Sequence, residues 1–387
     1  MVLKLYCIIS LLFLLFAVSG CGSSAAIFTA TVHQRAGINF KTHSSGNWTF
    51  KGLDSSIPPR ARSGYYSTTV SGTPFLDPDK LGTHAYCIKL SEKNGVVYTC
   101  KAGHIDIGHV RKMADWTGFL SAKTLEQIEK GNTEFKFKLY EPSIYYVKIS
   151  YPENWDSYSD DERENIAKDV SIKLGKYFAF SAGTWHEILT WFGYRPKGLL
   201  PEFASAFSWE DMYSNLLGVL LAEKALQNDK QDFCSLIRLY LDEALQDLKV
   251  QSKKTTLLAT EKVRGEWFSS KYFFTKIKKR NFDIGLDDGF ITPFPVPGIS
   301  GCEKTGIKLL EIPTLDGIEK YGFSVQIEVE PKEWEKNKIL RVVYPQQESK
   351  AKKIDCTIHF PVLMDYIEKD AISRGYLKLA DEHLSSR

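Results

Sequence analysis

The chain predicts an α+β fold: a central helical layer flanked by β-hairpins, with a β-rich part toward the C-terminus. Three observations carry that prediction. Asp106, His109, Met113, Trp116 and Leu120 recur three and four apart, the spacing of one helix face, and a capping box at Ser159 opens a second long helix. Phe135-Lys-Phe-Lys-Leu139 alternates apolar and polar residues, as a half-buried strand does. Beyond Asp283, Gly and Pro cluster before strand-like runs return. With 43% hydrophobic and 25% charged residues, the 387-residue chain has the composition of a globular protein and the length for one large or two smaller domains.

The first 20 residues read as a secretory signal. Lys4 supplies the positive end, and Leu5 to Val18 form an apolar run too short to span a bilayer. Val18-Ser-Gly-Cys21 is similar to a bacterial lipobox, which would make Cys21 a lipidated N-terminus. Gly22 is not the Asp that favours inner-membrane retention, so the expected address is the periplasmic face of the outer membrane. The membrane contact is then the lipid at Cys21, since no later apolar run reaches spanning length. The domain reading is signal 1–20, lipidated tether 21–57, α+β core 58–282 and β-rich C-terminal part 283–387.

The elements follow in order. Strand-like runs on either side of Glu92-Lys-Asn-Gly95 predict a hairpin over 83–101, with Gly95 as the loop glycine. That register sets Cys87 opposite Cys100 and predicts a cross-strand disulfide, two separate buried thiols being the alternative. Cys302 and Cys356 would close the C-terminal part, and Cys234 on a helical pattern reads as a free thiol. From Ile105 the pattern is helical. Residues 134–151 read as a strand pair. Ser159-Asp-Asp-Glu162 is a capping box opening a helix to about Phe192, with Gly193 beyond it. Ser208-Trp-Glu-Asp211 opens another to about Gln227, and a further helix spans about 231–249. Strands are expected at 321–329, 339–344 and 354–360, then a last helix at 361–380.

The balance of 50 Lys and Arg against 47 Asp and Glu argues against nucleic acid, whose phosphates call for a basic stripe. Three segments hold the residues suited to chemistry. Gly103-His104-Ile-Asp106-Ile-Gly-His109 runs from a strand end into a helix start, with Asp106 and His109 on one face. His186-Glu187 lies in an apolar, aromatic helix, where such a pair must find partners. Glu210 and Asp211 stand at the head of the next helix.

Two His with Glu and a further carboxylate are the donors of a divalent-metal site, zinc foremost. In that reading His104, His109, His186 and Glu210 hold the metal, Asp106 and Asp211 support it, and Glu187 is the general base of an envelope hydrolase. His186-Glu187 matches only the start of His-Glu-x-x-His, because Thr190 occupies the second His position. A metal-free cleft and purely structural hydrogen-bond networks are the other readings of the same residues. A thiolate nucleophile paired with His84 is a second enzyme reading. A non-catalytic lipoprotein contacting peptidoglycan or a protein partner is the reading outside enzymes; the 13% aromatic content would serve it if exposed.

The segments Gly95 to Thr117, Thr184 to Tyr194 and Ala206 to Gly218, with an entry at Arg60-Ala-Arg-Ser-Gly-Tyr65, resemble the bacterial proteins grouped as domain of unknown function 4056. The resemblance implies an envelope protein and carries over no active site.

Overall fold

The longest helices start where short polar side chains cap their free N–H groups. In the computed structural model, which describes residues 48–378 apart from 63, 66, 69–72, 87–90, 197–201, 272–273 and 347–350, strands β1 (Val96–Thr99) and β2 (Gly103–Asp106) run directly into helix α1 (Ile107–Glu129). Asp106 ends β2 and caps α1, its carboxylate accepting Gly108 N–H. Cys21, Cys87 and the expected signal and tether up to residue 47 lie outside the described residues. Nearly all of α1 is buried, because its apolar residues occur all round it rather than along one stripe.

Strands β3 (Glu134–Phe137) and β4 (Ile144–Ser150) follow. Helix α2 (Asp160–Trp191) opens with Ser159 and Glu162 capping one another, as the sequence predicts. Helix α3 (Asp211–Leu226) comes next. Helix α1 packs along both α2 and α3, and a Cβ on Gly218 of α3 would strike the backbone carbonyl of Val110. The central helical layer is this triplet. Helix α4 (Phe233–Asp247) packs on α3, and helix α5 (Lys253–Lys262), unanticipated from sequence, packs on β1.

Short strands β5 (Phe268–Lys271), β6 (Phe274–Ile277), β7 (Lys279–Arg280), β8 (Phe290–Ile291) and β9 (Leu310–Glu311) lead into helix α6 (Asp316–Glu319). Strand β10 (Ser324–Glu330), helix α7 (Lys336–Val343), strand β11 (Ile354–Asp355), helix α8 (Cys356–Ser373) and strand β12 (Leu377–Lys378) complete the described chain. One four-stranded antiparallel sheet, in the order β11-β10-β4-β3, joins the C-terminal part to the core, with Val147 opposite Ile327 on β10 and Phe135 on β3. Its inner side carries Phe135, Phe137, Tyr145, Val147, Ile149, Ile327 and Val329, all buried, with Phe137 stacked on Tyr145 at 4.6 Å between ring centroids.

Five expectations are corrected. The first hairpin turns one step later than predicted: β1 pairs with β2, and Gly95 lies against Pro74 instead of forming the loop. Cys100 is therefore bonded to Cys302, not to Cys87. Cys356, expected to pair with Cys302, is a buried free thiol at the start of α8. The expected strand at 339–344 is helix α7, whose Ile339 is its one buried residue; a short amphipathic helix and a strand share too little pattern to be told apart there. The last helix begins at Cys356 because Asp355 caps it, earlier than predicted.

Candidate functional site

The site forms where the N-terminal ends of α1 and α3 meet the C-terminal end of α2. Asp106 accepts Gly108 N–H (2.7 Å) with one oxygen and Tyr65 N–H (2.6 Å) with the other. One turn on, His109 places Nδ1 3.1 Å from Asp211 Oδ1 and 3.5 Å from Asp106 Oδ2. Asp211 opens α3, and its second oxygen accepts Ser208 N–H (3.0 Å). Glu210, fully buried behind it, accepts Ser67 N–H (2.8 Å). Burial, reinforced by Asp211, pushes the Glu210 carboxyl well above the usual range, and burial raises Asp106 too.

The last turns of α2 supply the opposite wall. His186 Nδ1 is hydrogen-bonded to Glu141 Oε1 (2.7 Å), and Glu141 is buried in the connection from β3 to β4. Burial disfavours the imidazolium, but the Glu141 hydrogen bond together with the charges of Glu141 and Glu187 outweighs it, so His186 titrates above its ordinary value. Beside it, Glu187 accepts Phe207 N–H (2.7 Å). Burial, with help from the Asp211 charge, pushes its carboxyl up to about 7. The loop that holds Phe207 is pinned by Arg280, whose buried guanidinium donates to the carbonyls of Ala206 and Phe203.

His109, His186, Glu187 and Asp211 face one open cavity of about 480 Å³. Its outer edge is the segment from Pro58 to Tyr65. Arg62 in that segment is held by Asp115 and Glu92, both sealed from solvent, and Arg60 is paired with Glu92 as well. Those charges fasten the segment across α1. Gly64 lies so close to the His109 ring that a Cβ would collide with it.

The family model described as protein of unknown function (DUF4056) matches residues 74–288, more than half of the chain. The chain belongs to this family. Neither a curated protein nor a solved structure matches it. The DUF4056 region carries all the titratable groups named above except those of the segment before residue 74.

Of the residues singled out in this DUF4056 chain from sequence, His109, His186, Glu187 and Asp211 line the cavity, and Asp106 and Glu210 lie directly behind it. His104 does not join them. It belongs to the neighbouring core around Tyr98 and Trp209, its Nε2 bonded to Thr260 (2.9 Å) and its Nδ1 accepting from Trp209, and burial holds its pKa down to about 3. Its cross-strand partner on β1 is Tyr98, against which its ring packs edge-on.

For the expected zinc, no group of three or more His, Cys, Asp or Glu among the described residues is arranged to hold a metal ion. His186 has already given Nδ1 to Glu141. The cysteine reading also finds no support, because His84 is bonded to Asp115 (2.9 Å) and burial pushes the Cys234 thiol up to about 11. Sequence reasoning missed Glu141, Lys112, Arg62 and Arg280. Glu141 lies 45 residues before its histidine, in a Glu-Pro turn with no motif of its own.

Proposed function

We propose that the cavity is the active site of a hydrolase that works by general acid–base catalysis at the cell envelope. The observation that carries this reading is the 2.7 Å hydrogen bond from His186 Nδ1 to Glu141, on the wall of an open cavity and adjacent to Glu187 with a pKa near neutrality. A histidine oriented through Nδ1 keeps Nε2 for substrate. A carboxyl that titrates near 7 is suited to give up a proton at working pH. In the reaction, His186 Nε2 takes a proton from water as the water oxygen bonds to the electrophilic centre. Glu187 gives its proton to the leaving group as the scissile bond breaks. His109, held between Asp106 and Asp211, lies beside the developing anion, where a ring N–H can donate to it.

The envelope setting rests on the sequence: the apolar run ending in Val18-Ser-Gly-Cys21 supports an outer-membrane lipoprotein facing the periplasm. The test is a screen of the purified mature chain against ester, peptide, glycoside and phosphoester substrates, with His186→Ala and Glu187→Gln alongside. The expected result is turnover in one class that falls about 10²–10⁴-fold in each variant. Turnover unchanged in both variants, or none in any class, overturns the reading. Elemental analysis of the same samples provides a separate control. One metal per chain that is lost in His186→Ala would replace the acid–base scheme with a metal-assisted one.

A further inference from the structure

Four Arg and Lys residues line the cavity, and they differ in what holds them. Arg60 and Arg62 are committed to Glu92 and Asp115. Lys138 is exposed at the mouth. Lys112 is only 7% exposed, yet its ammonium makes no hydrogen bond or ion pair among the described residues. Its ammonium lies over the face of Trp116, 5.4 Å from the ring centroid, a weak contact, and otherwise faces the cavity.

Buried ammonium groups are ordinarily paired, because losing hydration is costly unless another charge or dipole replaces the water. The Lys112 charge acts on Glu141 and His186 across the cavity without a direct bond to either. Glu141 holds His186 through Oε1, Glu187 accepts Phe207 N–H and Asp211 accepts Ser208 N–H. Lys112 is also in register with the chemistry. It follows His109 by three residues on α1, so the two side chains share a face about 4.5 Å apart along the axis. A cation with no direct partner, facing the cavity beside two histidines, suits a negatively charged group.

We propose that Lys112 is the recognition point for an oxyanion, a carboxylate or a phosphate carried by the substrate, with Lys138 attracting it at the mouth. The proposal rests on the hydrolase reading for its substrate but not for its binding chemistry. The anion sits one helical turn from His109, so the bond cleaved lies within a few atoms of the charged group. Leu139, Tyr140 and Trp116 on the same cavity accept an apolar or ring-bearing portion next to it.

The test is a calorimetric titration of the mature protein with N-acetylglycine, its uncharged amide and inorganic phosphate. The expected result is millimolar binding of one or both anions and none of the amide, which also tells a carboxylate site from a phosphate site. Lys112→Met should weaken anion binding at least tenfold, and Lys112→Arg should retain most of it. Lys112→Met should also melt at or above the wild-type temperature without anion, since it removes an unpaired charge and keeps the stem. Absence of anion binding in the wild type, or equal binding in Lys112→Met, overturns the proposal. A Lys112→Met chain that unfolds does so as well, because it would mean that the ammonium is a structural partner. Turnover is not measured in this experiment, so a negative hydrolase screen and a negative titration remain separate results.

Discussion

Glu187 accepts the backbone N–H of Phe207, and Phe207 holds a φ of +54°, a conformation that a bulky residue rarely adopts. A strained residue buried next to a titrating carboxyl is the kind of arrangement found at functional sites, where surrounding structure over-determines it. Here the surroundings are the Glu187 carboxylate on one side and Arg280 on the other.

The pH dependence of stability follows from Glu187. Its folded pKa of about 7 lies above the ordinary 4.5, so the protonated form is favoured in the folded state. That contribution is complete below pH ~4.5 and is lost as pH rises through about 7, on the order of 3 kcal/mol in all. Glu187→Gln keeps an acceptor for Phe207 but cannot ionise. Urea denaturation at pH 5 and pH 8 should therefore show the variant gaining on the wild type by up to that amount. An equal gap at both pH values refutes the assignment.

Glu141 sets the basicity of His186 through their hydrogen bond. Glu141→Gln removes the charge and keeps the shape. The imidazole of His186, followed by NMR titration, should then change protonation at a lower pH than in the wild type, and turnover should fall about 10-fold or more. An unmoved titration would mean that the pair is not coupled in solution.

Gly64→Ala tests the segment that crosses His109. The new methyl group meets the imidazole ring and the Asp106 carboxylate, neither of them the loose end of a long side chain. The segment must lift, taking Tyr65 N–H away from Asp106. The expected outcome is a loss of activity larger than the loss of melting temperature. Full activity with unchanged melting would show that the segment is not seated on His109.

The capped helices were legible because their signals are local. Ser159 and Glu162 cap each other across three residues, and the predicted helix ends within a residue of the observed one. His109, His186, Glu187 and Asp211 were legible as chemistry-bearing residues, and the fold brings them to one cavity. Glu141 was not legible, since its role exists only once the β3–β4 connection folds over α2. His104 misled because the His-x-Asp-x-x-His pattern of residues 104–109 crosses a strand-to-helix junction, where the side-chain period changes from 2 to 3.6. The turn at 100–102 was missed because two glycines, Gly95 and Gly103, bracket β1, and only Gly103 takes a positive φ (+73°).

The disulfide can be checked by peptide mapping under non-reducing conditions, which should recover Cys100 linked to Cys302. Cys302→Ser should lower stability by about 2–4 kcal/mol, the usual contribution of a bridge closing a long loop. A Cys87–Cys100 peptide would restore the hairpin register expected from sequence.

Strand β4 is flanked by β3 from its own neighbourhood and by β10 from some 180 residues later in the chain. A chain made from the N-terminus holds one side of β4 open until Ser324–Glu330 has emerged. Any fragment cut at residue 288, where the family match ends, would keep the cavity residues but leave seven backbone positions of β4 without their partner. Such an edge pairs with whatever strand it meets, usually another copy of itself. The family-matched segment is thus not a unit that can be cut out: it depends on its C-terminal sequel to stay soluble.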